Sequence, residues 1–273
     1  SSLVAQGRIG LRANVAPLEA SGVDTITLPT IVLSNHPAMA VYAGVTIEPE
    51  TLTGMIGALE ANGALYDLDI VFSGYLPTHG HVEVARVLAD AARRHSPKCL
   101  YVCEPVMGDD PARLYMPPDV ATGIRDLLIP MADLITPNRF ELQWLSGLEV
   151  RDADSAIRAS RKVGCPTTVA TSIPDGSRHL VNVLTSERPP QTAISRTETL
   201  AFARSGTGDV FAGLLLSKMA AGAPVSAALG FATAGVAYAL RHSEGSVDLQ
   251  LSGIDWRNGF KDAPVEPCGE PGK

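Results

Sequence analysis

Short apolar runs of extended character alternate with segments of helical periodicity through most of this chain, and that alternation leaves few architectures open. Val23 to Leu33, Asp69 to Phe72, Cys99 to Cys103, Leu134-Ile135 and Thr168 to Ala170 read as strands. Between them, Thr51 to Ala64, Val82 to Arg93, Pro118 to Leu128, Asn138 to Leu145 and Asp154 to Val163 read as helices. Leu52, Met55, Ile56 and Leu59 share one face of the first. Val84, Val87, Leu88 and Ala91 share one face of the second, which ends in Arg93, Arg94 and His95, where cations suit the helix dipole. Residues 178–202 read as strand-rich, and Gly208 to Ala221 and Val225 to Leu240 as two final helices. Repeated strand–helix units predict an α/β fold, a mostly parallel central sheet with helices on both faces. Ligands of such sheets bind at the carboxyl ends of the strands. Ser73-Gly74-Tyr75, Glu104-Pro105-Val106, Thr136-Pro137-Asn138 and Thr171-Ser172 fall at those ends.

The 273 residues suffice for a large core, and no repeat or low-complexity linker divides them. The expectation is a single domain over residues 1–260 and a loose polar tail over 261–273. Lys and Arg number 22 against 29 Asp and Glu, a net charge of −7. Neutralising a polyphosphate backbone needs the opposite excess, so nucleic acid is not an expected partner, while a small anion held locally stays open. Cys99 and Cys103 lie four strand steps apart, roughly 13 Å, too far for a disulfide. The four cysteines are expected as reduced thiols of a cytoplasmic protein, and no signal peptide is recognised. Met219 to Leu240 carries no charge, but Gly222 and Pro224 interrupt it and Ala and Gly dominate it. It reads as buried helix, not membrane span. His79 and His81 form a lone H-x-H, read as a solvated helix start for want of a third ligand.

Most familiar catalytic motifs are missing. There is no G-x-x-x-x-G-K-[ST], Phe211 breaks the G-x-G-x-x-G begun by Gly206 and Gly208, and no G-x-S-x-G, H-E-x-x-H or C-x-x-C occurs. The strongest local signal is S-G-T-G-D-V-F-A-G over residues 205–213, running into Leu214, Leu215 and Leu216. Glycines on both sides of Thr207 permit a turn that other residues resist. The free N–H groups of the following helix point into that turn and make an anion site. Asp209 sits beside it. Its carboxylate can complement the helix dipole. It can equally take a proton from an alcohol while the N–H groups hold the charge of a transferring phosphoryl group.

S-G-T-G-D-V-F-A-G resembles the G-[AT]-G-D signature of the ribokinase-like superfamily, and further segments narrow the resemblance to the pyridoxal kinase family. The opening S-L-V-A-Q-G-R-I-G (Ser2 to Gly10) is similar to that family's S-x-V-x-x-G-x-x-G start, and L-S-N-H (Leu33 to His36) to its F-S-N-H. S-G-Y (Ser73 to Tyr75), Y-V-C-E-P-V-M-G-D (Tyr101 to Asp109) and I-T-P-N-R-F-E-L-Q-W-L-S-G (Ile135 to Gly147) match in family order. The resemblance implies a ribokinase-like three-layer fold. It implies ATP-dependent phosphorylation of the 5′-hydroxymethyl group of pyridoxal, with pyridoxine and pyridoxamine as further acceptors. Asp209 would be the catalytic base, with Gly206, Thr207 and Gly208 as the anion hole. Asn138, Thr171 and Ser172 would lie at the nucleotide phosphates, and Glu141 and Glu104 at Mg²⁺, with a monovalent cation alongside. Ser2, His36, Tyr75 and Tyr115 would contact the substrate, and Gly108 to Tyr115 would form a flap that excludes water. A homodimer is implied as well. Asn138 and Glu141 also have the spacing of a helix capping box.

Three departures stand out. Glu104 stands where the family usually has Asp, and Pro37 follows His36 where many members have Thr. The chain begins at the serine of the opening motif, where family members have a preceding hydrophobic strand; a gap near the centre of the sheet is expected. Hydroxymethylpyrimidine kinase shares the fold and is the alternative enzyme. A catalytically silent pyridoxal-phosphate binding protein is the non-enzyme alternative, against which the intact S-G-T-G-D speaks.

Overall fold

A computed structural model describes residues 1–111, 113–200 and 204–268. The first half contains β1 (Ser2–Val4), α1 (Leu11–Ala20), β2 (Ile31–Leu33), β3 (Gly44–Thr46), α2 (Pro49–Ala61), β4 (Ile70–Ser73), α3 (His79–His95), β5 (Leu100–Cys103), β6 (Gly108–Asp109), β7 (Arg113–Leu114), α4 (Pro118–Gly123) and β8 (Leu134–Ile135). The second half adds α5 (Arg139–Ser146), α6 (Ala153–Val163), β9 (Thr167–Asp175), β10 (His179–Glu187), β11 (Pro190–Glu198), α7 (Thr207–Ala220), α8 (Val225–His242) and β12 (Val265–Pro267).

Seven strands hydrogen-bond in the order β12-β11-β10-β9-β8-β5-β4. The ladder is parallel from β4 to β9, where helices make the crossovers, and antiparallel from β9 to β12. The sheet is therefore mixed rather than mostly parallel. Only Arg188 and Pro189 separate β10 from β11, and so short a link can join only antiparallel neighbours. β1, β2 and β3 form a separate three-stranded sheet, and among the described residues no ladder joins β1 to β4.

Helices cover both faces. α7 and α8 pack on one face, where Ala13 of α1 joins them in one core with the sheet residues Val102, Leu134 and Val169. α3 and α4 cover the other, where Val82, Ala89, Val120 and Ile124 meet Val71, Tyr101 and Cys103. Leu142 and Ile157, from α5 and α6, close the far end of the sheet against Ala170 and Val183. Every residue from Val210 to Ser217 is buried, which accounts for the absence of polar spacing in α7. Among the described residues no helix is long and apolar enough to cross a membrane.

Several expectations are corrected. α1 lacks a capping side chain and contains Pro17, so its local signal is weak; packing makes it a helix. Of Val23 to Leu33 only Ile31–Leu33 forms a strand. The expected helix Pro118 to Leu128 divides into α4 and a π-helical turn, Ile124–Leu128, followed by the 3-10 turn Ile129–Met131. Pro130 has no N–H to continue the α-helical pattern. His81 is fully buried, not solvated: its ring bonds Thr78 Oγ1 at 2.8 Å and the Ile47 carbonyl at 2.8 Å. The tail is not loose throughout, because β12 pairs with β11 and the Cys268 N–H donates to the Thr192 carbonyl. Val265 and Cys268 pack on the core there, contacts that composition does not reveal. Residues 201–202 of the strand-rich stretch, residue 112 of the flap and residues 269–273 of the tail lie outside the described residues.

Candidate active site

β4, β5, β8 and β9 run parallel, so their carboxyl ends open on one edge of the sheet, and the N-terminus of α7 faces the same edge. Gly206 caps α7 in the left-handed region at φ 90°, and a Cβ on it would stand 1.8 Å from the Arg8 carbonyl oxygen. Only glycine fits. That contact ties the turn to the opening loop, which also supplies the Gly10 N–H that the Asp209 carboxylate accepts. Burial pushes the Asp209 carboxyl up to about 6, against the pull of that hydrogen bond. Gly208 leaves room for Glu104, whose Oε1 lies 3.4 Å from where a Cβ on Gly208 would stand. On its other side Oε2 lies 3.7 Å from the corresponding point on Gly74.

Glu104 is almost completely buried, and its Oε2 has no hydrogen-bond partner. Burial, then the neighbouring charges of Asp209 and Glu141, drive its pKa far above the ordinary carboxylate range. Among the described residues no three His, Cys, Asp or Glu side chains converge into a closed metal cage. A lone buried carboxylate oxygen facing like charges nevertheless suits Mg²⁺, which takes one or two carboxylates and leaves its other positions to phosphate and water.

Glu141 is differently placed. Its Oε1 accepts the Met107 N–H at 2.7 Å and its Oε2 accepts the Asn138 N–H at 2.9 Å. Asn138 Oδ1 in turn accepts the Glu141 N–H, which completes the capping box of α5. Burial pushes the Glu141 carboxyl up to about 7. Asn138 Nδ2 donates to the Gly108 carbonyl at 2.8 Å, so the capping box also anchors the β6–β7 hairpin. That hairpin is the expected flap. Tyr115 follows it, half exposed, with its phenol pKa raised by burial and by the charges of Glu141, Asp109, Glu104 and Asp209.

Ser2 is buried in β1 with its Oγ against Gly10. Tyr75, half buried beside Tyr42, accepts the Thr30 hydroxyl on its carbonyl. His36 Nδ1 accepts the Ala38 N–H at 3.0 Å, and burial lowers its pKa against the opposing charge of Asp248. Thr171 pairs with Asn138 at the end of the parallel ladder, and its N–H donates to the Pro137 carbonyl. Val106 and Ser172 adopt φ of 46° and 60°, strained for non-glycine residues, just past β5 and in the last part of β9. Gly10 and Met107 were not singled out by sequence reasoning because they contribute only backbone N–H groups, which no residue type advertises.

The sequence profile of the phosphomethylpyrimidine kinase family matches residues 6–250. Pyridoxal kinase PdxY of Corynebacterium diphtheriae is 32% identical over 221 residues, covering 78% of this chain and 77% of that protein. The chain belongs to the pyridoxal kinase family. A further member, the pyridoxine/pyridoxal/pyridoxamine kinase of Bordetella avium, is 34% identical over 239 residues, 84% of this chain and 78% of that one. The fold agrees over nearly its full length with the pyridoxal kinase of Leishmania donovani in complex with ADP and pyridoxine. The TM-score is 0.92 at 30% identity, covering 98% of this chain and 97% of the other. This family member is thus a kinase of ribokinase-like fold, built on the three layers described above.

Proposed function

We propose that this protein transfers the γ-phosphoryl group of ATP to the 5′-hydroxymethyl group of pyridoxal. The observation that carries the reading is Asp209, a half-buried carboxylate of raised pKa, fixed by the Gly10 N–H at the mouth of the Gly206–Gly208 turn. Asp209 would accept the hydroxyl proton as the oxygen attacks phosphorus, and the leaving ADP would take the negative charge. The N–H groups of the turn would stabilise the transferring phosphoryl group. Asn138, Thr171 and Ser172 would bind the nucleotide phosphates, and Ser2, Tyr75, Tyr115 and His36 would line the vitamer side. Mg²⁺ would be held by Glu104 and phosphate oxygens, and supplies neutralisation of phosphate charge. Glu141, with both oxygens occupied by backbone N–H groups, would shape the site by fixing Asn138 and the flap. A monovalent cation beside these carboxylates belongs to the same reading. We further propose a cytoplasmic homodimer. The free edge of β3, with Val41, Tyr42 and Val45 exposed beside it, offers a surface for pairing.

The matching profile carries the name of a pyrimidine kinase, so hydroxymethylpyrimidine is the second reading. A coupled ATPase assay with pyridoxal, pyridoxine, pyridoxamine and hydroxymethylpyrimidine decides. A site that hydrogen-bonds a pyridine 3-hydroxyl rejects a ring without it strongly, so kcat/KM for pyridoxal should exceed that for the pyrimidine by at least ~10². Equal or better turnover of the pyrimidine overturns the assignment, and no turnover of any acceptor favours a silent binding protein.

A further inference from the structure

Ser172, strained and exposed at the edge where the nucleotide phosphates would lie, cannot hold its backbone unaided. The ladder between β9 and β10 steps from Val181↔Ile173 to Val183↔Ala170, so Thr171 and Ser172 together oppose the single residue Asn182. This bulge removes the Ser172 N–H from the ladder. The N–H donates instead to Asn182 Oδ1 at 3.1 Å. Asn182 is buried, and its Nδ2 donates to Thr233 Oγ1 of α8 at 3.0 Å. The Thr233 hydroxyl donates to the Leu229 carbonyl at 2.8 Å and is itself only 2% exposed. Because the Thr233 proton is committed to Leu229, its oxygen can only accept from Asn182. The amide must therefore turn its NH₂ group toward α8 and its oxygen toward Ser172. Thr171 is held from the other side, by the Pro137 carbonyl and by its bridge to Asn138.

We infer that Asn182 is a positioning residue for nucleotide binding: oriented by Thr233, it holds Ser172 in the left-handed conformation that presents Thr171 and Ser172 to the phosphates of ATP. This rests on the proposed kinase reading and adds two residues, neither of which touches a reactant. Asn182→Ala should raise KM for ATP and Kd for ADP about tenfold while leaving KM for pyridoxal unchanged. Thr233→Val, which keeps shape but removes the acceptor, should weaken ADP binding in the same direction by a smaller factor, and it serves if Asn182→Ala does not fold. The decisive measurement is a double-mutant cycle with Ser172→Gly, read as ADP affinity by calorimetry. Glycine adopts φ near 60° without support, so Asn182→Ala should cost much less ADP affinity in that background than in the wild type. Unchanged ADP affinity in both Asn182→Ala and Thr233→Val, or equal losses in both backgrounds, overturns the inference while leaving the kinase reading standing. Wild-type protein that binds no ADP overturns the kinase reading itself, and the inference with it.

Discussion

Replacing Asp209 by Asn should stabilise the protein while stopping it. Burial raises the Asp209 carboxyl from 3.8 to about 6. The folded state thus holds this proton more tightly than the unfolded chain, and stability attached to it is full below pH 4 and lost as pH rises through 6. At neutral pH the ionised Asp209 then costs the fold about 3 kcal/mol. Asn keeps an oxygen to accept the Gly10 N–H and carries no charge to desolvate. The variant should therefore gain up to about 3 kcal/mol above pH 6 and nothing below pH 4, as read from urea midpoints across that range. Turnover should fall by at least ~10², the usual worth of a general base. In the wild type, log kcat should drop with unit slope below about pH 6, since only the ionised form accepts the proton. A variant that is less stable at pH 7, or that turns over within a few-fold of wild type, would refute the argument from a desolvated base.

Gly206→Ala should lose at least about 2 kcal/mol and most activity, since a methyl group there strains φ and meets the Arg8 carbonyl; denaturation midpoints and kcat check both. Glu141→Gln can satisfy only one of the Met107 and Asn138 N–H groups, a loss of about 1–3 kcal/mol that removal of a desolvated charge offsets above pH 7, so urea midpoints should show the larger destabilisation on the acid side. Its Mg²⁺ requirement should move less than that of Glu104→Gln, as metal titrations of the rate will tell. Truncation after Asp262 removes β12 and bares the edge of β11, so melting temperature should fall; an unchanged value would restore the tail to a passive role.

What was legible in the sequence was whatever a residue type or a period announces. The β4 to β9 half of the sheet, with its helices, follows from apolar periodicity. The turn at Gly206 and the base at Asp209 follow from glycines that permit one conformation and a charge at a helix start. The capping box at Asn138 and Glu141 was visible as spacing, but spacing left open whether Glu141 faces a metal or its own backbone. In the folded protein both its oxygens are taken. α1 was hidden because Pro17 and a bare N-terminus speak against a helix that packing enforces. Asn182 was hidden because a β-bulge is a matter of register between distant strands, and a single Asn in a strand says nothing of its partner.

The meeting of Gly206 with Arg8 has a consequence for synthesis on the ribosome. The proposed phosphate cradle is assembled from segments far apart in sequence, since Asp209 depends on Gly10, and Gly213 of α7 packs on Asn14 of α1. At the usual pace of translation about 200 residues separate these pieces by roughly 10–40 s. Throughout that interval β1 and α1 are out, with the face of α1 that awaits α7 uncovered. The nascent protein can build the middle of its sheet early, but it acquires a proposed reaction centre only when α7 arrives to close the distance.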